Sequence, residues 1–151
     1  VVYVSFGSES FISSAQVTEL ALGLEASGQP FLWVLRPPES SLAKGGLPLE
    51  WKAELLPEGF ERRLEGRCLI ETGWAPQAAI LAHEATGAFI THCGWNSVQE
   101  SVAAGVPMVA LPQQSDQPAN ALLLAREAKL AVEMKISEGV AKRDEVERAV
   151  R

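Results

Sequence analysis

The chain has 151 residues, 47% of them hydrophobic, which is enough to build the core of one domain. It carries 13 Lys and Arg against 19 Asp and Glu, a net charge of −6, so the basic footprint of a polynucleotide binder is missing and no nucleic-acid partner is expected. No apolar run reaches the ~18 residues of a membrane span and no signal peptide is present, so no membrane partner is expected either.

Residues 1–6, VVYVSF, read as the first strand. The chain opens on this strand without a Met, which reads as a fragment of a longer protein. Gly7-Ser8 ends the strand in a small turn that lets a ligand approach the backbone, though Ser8 also fits a plain loop serine. Ser13-x-x-Gln16 has the pattern of a capping box, and Val17, Leu20, Ala21 and Leu24 then fall on one helical face that Gly28 closes. Residues 31–35 form a second strand with Trp33 in the core. Residues 37–56 hold Pro37-Pro38, Ser40-Ser41, Gly45-Gly46 and Pro48, the composition of a long surface loop. Trp51 within it either pins the loop to the core, the commoner place for a Trp, or faces a partner. A short helix over 58–64 follows, with Arg62, Arg63 and Arg67 as a solvated face.

The strand at 68–72 leads into Trp74, which is either core or a flat platform for a base, where stacking is worth ~1–3 kcal/mol. The two cysteines, Cys68 and Cys93, lie in or beside strands and read as reduced core thiols of an intracellular, cytoplasmic protein. Residues 77–83 predict a helix with Ile80 and Leu81 inward and His83 structural at its end. A buried strand at 88–91 runs into the turn His92-Cys93-Gly94-Trp95. Ser97 then N-caps a helix over 98–104 that Gly105 stops. The unpaired N–H groups and dipole of such a helix start favour an anion, most commonly phosphate, and His92, Asn96 and Ser97 add donors. Ser97 and Glu100 equally fit a Ser-x-x-Glu capping box that any helix can carry. After a strand at 108–111, Pro118 fits the first turn of a helix over 118–129. Asp116 either caps that helix or, with Gln117, binds vicinal hydroxyls. Platform, phosphate turn, acid and polar pair together describe a nucleotide-sugar.

A strand at 130–134 and a helix begun by Asp144-x-x-Glu147, with Val146 and Val150 inward, complete the chain, which stops at Arg151 as if truncated. Alternation of strand and helix predicts an α/β, Rossmann-like parallel sheet with helices on both faces. GxGxxG and GxxxxGK[ST] do not occur, so neither an NAD-type nor a P-loop site is expected. His83 and His92 lack a matching carboxylate or cysteine pattern, so no metal site is expected.

WAPQ at 74–77, ILAH at 80–83, GAFITHCGWNSVQE at 87–100, GVPM at 105–108 and DQPANA at 116–121 together resemble the signature box of the plant UDP-dependent glycosyltransferases of small molecules, a family of GT-B fold. YVSFGS at 3–8, FLWVLRPPE at 31–39 and LPEGFERRLEGR at 56–67 extend the resemblance over nearly the whole chain. The resemblance implies that 1–151 is the C-terminal, donor-binding half of an enzyme that transfers a hexose, with inversion, from UDP to a hydroxyl of a small acceptor such as a flavonoid or terpenoid. It implies that Trp74 stacks on uracil, that Ala75 reads the base edge through its main chain, and that Gln77 and Glu100 hold the ribose. Ser8, His92, Asn96 and Ser97 would hold the diphosphate, and Trp95, Asp116 and Gln117 would face the sugar. A Gln at 117 goes with UDP-glucose in the family. UDP-sugar is then a co-substrate, with no further cofactor and no metal. The family's catalytic base is a histidine held by an aspartate in the N-terminal acceptor domain. No residue here matches it, so no catalytic residue is expected in this chain and that domain is its expected partner. Gln114 departs from the family, which commonly has an aromatic there. Two other readings fit the residues: a nucleotide-binding module without a catalytic partner, and a GT-B enzyme using another UDP-sugar.

Overall fold

Short β-branched and aromatic runs alternate their side chains between two faces, and both faces are apolar here. The computed structural model describes residues 1–8, 11–37 and 51–151. In chain order they form β1 (Val2–Ser5), α1 (Ser14–Ser27), β2 (Phe31–Val34), α2 (Trp51–Leu55), α3 (Phe60–Arg63), β3 (Cys68–Glu71), α4 (Gln77–Leu81), β4 (Ala88–Thr91), α5 (Trp95–Ala104), β5 (Met108–Ala110), α6 (Gln117–Leu122), β6 (Ala131–Glu133), β7 (Ile136–Ser137), β8 (Val140–Ala141) and α7 (Arg143–Val150). Six strands make one sheet in the order β3-β2-β1-β4-β5-β6, with every pairing parallel. The chain winds outward from β1 to β3 and then returns to lay β4 on the other side of β1. That reversal opens a crevice at the carboxyl ends of β1 and β4, where α/β sheets bind ligands.

Two apolar clusters show the layering. Val2, Val4, Phe6, Trp33, Ile90 and Val109 pack on one face with Leu20 and Leu24 of α1 and Val146 of α7. Tyr3, Phe89, Met108 and Ala110 pack on the other with Leu81, Val98, Ala121 and Leu124. The Rossmann-like sheet covered on both faces is therefore as expected. Ser13 caps α1, its Oγ accepting from the Gln16 N–H at 3.2 Å. The Gln16 amide does not complete the box. It pairs instead with the Ala141 backbone at 2.8 and 3.1 Å, tying β8 to α1.

Several boundaries differ from the sequence reading. Residues 51–55, expected in a loop, are helical, and the half-buried Trp51 packs on the first cluster, in line with the structural reading. The rest of the expected loop, 38–50, lies outside the described residues. Arg63 is not merely solvated: it makes a two-pronged pair with Glu25 at 2.7 and 2.9 Å, joining α3 to α1. The helix expected over 118–129 is α-helical only to Leu122. It continues as a wider π turn, Leu123–Ala128, closed by Lys129 at φ 58°. Asp144 does not cap α7, whose N-cap position is Lys142; Asp144 and Glu145 instead sit in the first turn. The hairpin of β7 and β8 was not predicted. Glu138 and Gly139, with φ of 53° and 82°, form its tight turn, the conformation that the twist of a two-residue hairpin needs.

Candidate functional site

A cleft of about 550 Å³ opens at the carboxyl ends of β1, β2 and β3, beside the start of α5. Of the predicted residues, Ser8, Trp74, Ala75, Gln77, Asn96, Ser97 and Glu100 line it. Trp74 is 86% exposed, so it is not core: its ring stands at the cleft wall in water. The cleft floor is a polar network. Gln77 Nε2 donates to Ser97 Oγ at 3.0 Å and to Glu100 Oε2 at 2.7 Å. The Tyr3 hydroxyl donates to Gln77 Oε1 at 3.4 Å, and the Tyr3 ring, buried, stacks on Phe89 with centroids 5.0 Å apart.

This network overturns the capping box. α5 begins at Trp95, two residues before Ser97, with Gly94 at the N-cap position and no side-chain cap. The first intrahelical bond runs from the Val98 N–H to the Gly94 carbonyl at 3.0 Å, which leaves the N–H groups of Trp95, Asn96 and Ser97 without helical acceptors. Ser97 and Glu100 lie three apart on one helix face and turn together towards Gln77 at the start of α4, so neither is available to cap.

The turn after β4 forms the second part of the site. Cys93 takes a left-handed conformation, φ 65°, and its N–H donates to Thr91 Oγ1 at 3.2 Å. Burial pushes its thiol up to about 12, which leaves it inert at neutral pH. His92 is buried against Gly7 and Gly94, and its Nδ1 has no hydrogen-bond partner among the described residues. Burial lowers its pKa against the opposing pull of the Asp116 carboxylate, so the neutral imidazole is favoured. Asn120 Nδ2 donates to the Cys93 carbonyl at 3.0 Å and to Asp116 Oδ2 at 2.9 Å, bolting α6 to the turn. Asp116 occupies the N-cap position of α6 but makes no capping bond, because its carboxylate is held by Asn120. Gln117 is buried, and its Oε1 accepts from the N–H groups of Gln113 and Gln114 at 2.9 and 3.0 Å, shaping that loop. Trp95 is half exposed at the head of α5. His92, Trp95, Asp116 and Gln117 are not among the residues that line the cleft. His83 is exposed, its Nδ1 accepts from the Ala85 N–H at 3.1 Å, and it does not line the cleft. Sequence reasoning passed over Tyr3 and Arg36, which line the cleft, and Asn120. Asn120 alone left a local signal, four residues after Asp116 on a helix.

The sequence profile of the family described as UDP-glucoronosyl and UDP-glucosyl transferase matches residues 1–150. The chain belongs to that family. Among its relatives, UDP-glycosyltransferase 72E1 of Arabidopsis thaliana is 49% identical over 160 residues, taking in 100% of this chain and 33% of that protein. Hydroquinone glucosyltransferase of Rauvolfia serpentina is 46% identical over 156 residues, with the same coverage of 100% and 33%. The solved structure of apo UGT2 of Phytolacca americana superposes with a TM-score of 0.89 at 42% identity, covering 99% of this chain and 33% of that one. The same enzyme complexed with UDP-2fluoro-glucose and pterostilbene gives 0.85 at 41% identity, covering 99% and 31%. The chain spans about a third of the length of the curated relatives it matches. In this member of the transferase family, no helix among the described residues is long and apolar enough to cross a membrane.

Proposed function

We propose that residues 1–151 form the UDP-sugar-binding domain of a glycosyltransferase, that the sugar is glucose, and that an acceptor-binding domain of the same protein supplies the rest of the site. The observation that carries this reading is the single cleft that joins an exposed aromatic ring, a carboxylate–amide pair and an open helix start. The Phytolacca americana complex with UDP-2fluoro-glucose and pterostilbene supports both the donor and a small-molecule acceptor.

Trp74 stacks on uracil and the Ala75 main chain reads its edge. Gln77 and Glu100, already fixed by their mutual hydrogen bond, hold the ribose hydroxyls. Ser8, Asn96, Ser97, the open N–H groups of α5 and the neutral His92 donate to the diphosphate. Trp95, Asp116 as held by Asn120, and Gln117 with the loop it shapes form the sugar end. In the reaction, the acceptor hydroxyl oxygen bonds to the anomeric carbon from the side opposite the diphosphate. The bond from that carbon to the diphosphate oxygen breaks, and UDP departs with the electron pair. The hydroxyl proton goes to a base in the acceptor domain. Donors preplaced for the departing charge are each worth ~3 kcal/mol, so this mechanism calls on no metal. The free thiols Cys68 and Cys93 support a reducing, cytoplasmic setting.

Calorimetric titration of the chain tests the donor reading. UDP is expected to bind in preference to ADP, and Trp74→Ala to weaken UDP by about tenfold or more, the cost of one lost base–aromatic stack. Equal binding of ADP and UDP, or indifference to Trp74→Ala, overturns it. Competition among UDP-sugars tests the choice of glucose, and glucosyl transfer by these 151 residues alone would refute the assignment of the base to another domain.

A further inference from the structure

We infer that Gly94 is a positioning residue for the phosphate end of the donor: the side chain it lacks is the space that the His92 imidazole fills. This rests on the reading of His92 as a diphosphate donor. A Cβ at Gly94 would lie 2.5 Å from His92 Nε2, 3.1 Å from Cε1 and 3.2 Å from Cδ2. A Cβ at Gly7 would likewise lie 2.8 Å from both Cε1 and Nε2. The ring therefore fills a slot that both glycines leave open by lacking a side chain.

Histidines at functional sites are usually oriented by a hydrogen bond from the ring nitrogen that does not do the work. His92 has none among the described residues: Nδ1 is buried and unpartnered there, and only 8% of the residue is exposed. Shape takes over the orienting role. The two positions differ in why they are glycine. Gly7 has φ 75°, a conformation that excludes most side chains on its own account. Gly94 has φ −61° and ψ 139°, which any residue adopts, so its backbone does not require glycine. What excludes a side chain at Gly94 is His92. The Cβ contacts fall on the far end of a side chain that can rotate, so a methyl here turns the imidazole out of its slot.

The test is a cycle of Gly94→Ala, His92→Ala and the double variant, with UDP and uridine titrated calorimetrically. Gly94→Ala should lower UDP affinity by about ten- to a hundredfold, the range for a lost hydrogen bond to a charged group, and match His92→Ala. Uridine, which lacks the diphosphate, should bind each variant as it binds the parent chain. In the His92→Ala background the Gly94→Ala change should cost nothing further, since the methyl enters vacated space. If His92→Ala weakens UDP while Gly94→Ala does not, the slot is refuted and the donor reading stands. If His92→Ala leaves UDP binding intact, the diphosphate reading of His92 falls and the slot has nothing to position. Equal losses from Gly94→Ala in both backgrounds, or loss of uridine with UDP, also overturn the inference. Should Gly94→Ala alone fail to fold, recovery of folding in the double variant supports the slot, and its absence refutes it.

Discussion

Glu100 shows how one contact decides between two meanings of a residue. As a capping acid it would bond the backbone at the start of α5. In the fold its carboxylate instead accepts from Gln77 across the cleft floor, with Ser97 beside it. Glu100→Gln keeps the size and an oxygen that Gln77 can still reach, and removes the charge that strengthens a hydrogen bond to a sugar hydroxyl. Such bonds are worth ~1.5–3 kcal/mol, so UDP affinity is expected to fall by about tenfold or more in calorimetry. A cap would behave differently, because Gln completes a capping box as well as Glu does. Unchanged affinity would therefore remove Glu100 from the ribose. The chain showed that Ser97 and Glu100 belong to one face. It did not show which partner that face meets, because Gln77 lies 23 residues from Glu100 and Tyr3 lies 74 from Gln77.

At the scale of elements, α1 and α7 pack tightly at Gly23. A Cβ there would stand 2.5 Å from Val146 Cβ and 2.7 Å from the Arg143 carbonyl oxygen. Alanine is favoured over glycine in a helix by up to ~1 kcal/mol. The clash is with backbone as well as side chain, so the helices must part, and overpacking of that kind costs ~1–3 kcal/mol. Gly23→Ala is thus expected to lower the denaturant midpoint despite its better propensity; a rise would show that α7 moves freely on α1. Strands and long helices were legible because their periodicity is local: β1, β2, β4 and α1 fall where the apolar pattern puts them. Helix starts were not. α5 begins at Trp95, where a bulky aromatic gives no capping signal, and α7 begins at Arg143, whose N–H and guanidinium are both held by Glu19 of α1, 124 residues away. Of the site, Trp74 at the strand exit, which stands exposed on the cleft wall, and a turn over His92–Gly94 were readable. The Asn120 bolt and the approach of Gly7 to His92 were not, since each is a contact between elements far apart in the chain.

At the scale of the molecule, charge sets a pH window for stability. Arg143 holds Glu19 below the usual carboxylate range, Arg63 does the same to Glu25, and Arg148 draws Glu145 down to about 2. A carboxylate depressed in the fold stabilises above its unfolded pKa of about 4.3 and loses that contribution as pH falls towards its folded value. His92 acts in the same sense. Its folded pKa lies below the ordinary 6.5, so the unfolded chain takes up the proton first as pH falls. Cys93 sets the other limit: its thiol ionises near 9.0 when unfolded but is pushed up to about 12 by burial, so stability is lost as pH rises past 9.0. Thermal midpoints should therefore be highest near neutrality and fall on both sides, the acid limb steepening below about pH 4. A midpoint unchanged between pH 7 and pH 3 would contradict this account. The four tryptophans carry one more consequence. Trp33 is fully buried, Trp51 and Trp95 are partly covered, and Trp74 stands 86% exposed. Trp74 thus supplies the red edge of the chain's intrinsic fluorescence, and a base stacked on it would quench that edge and shift the remaining emission to shorter wavelength. The chain has its own optical gauge of whether the cleft is full.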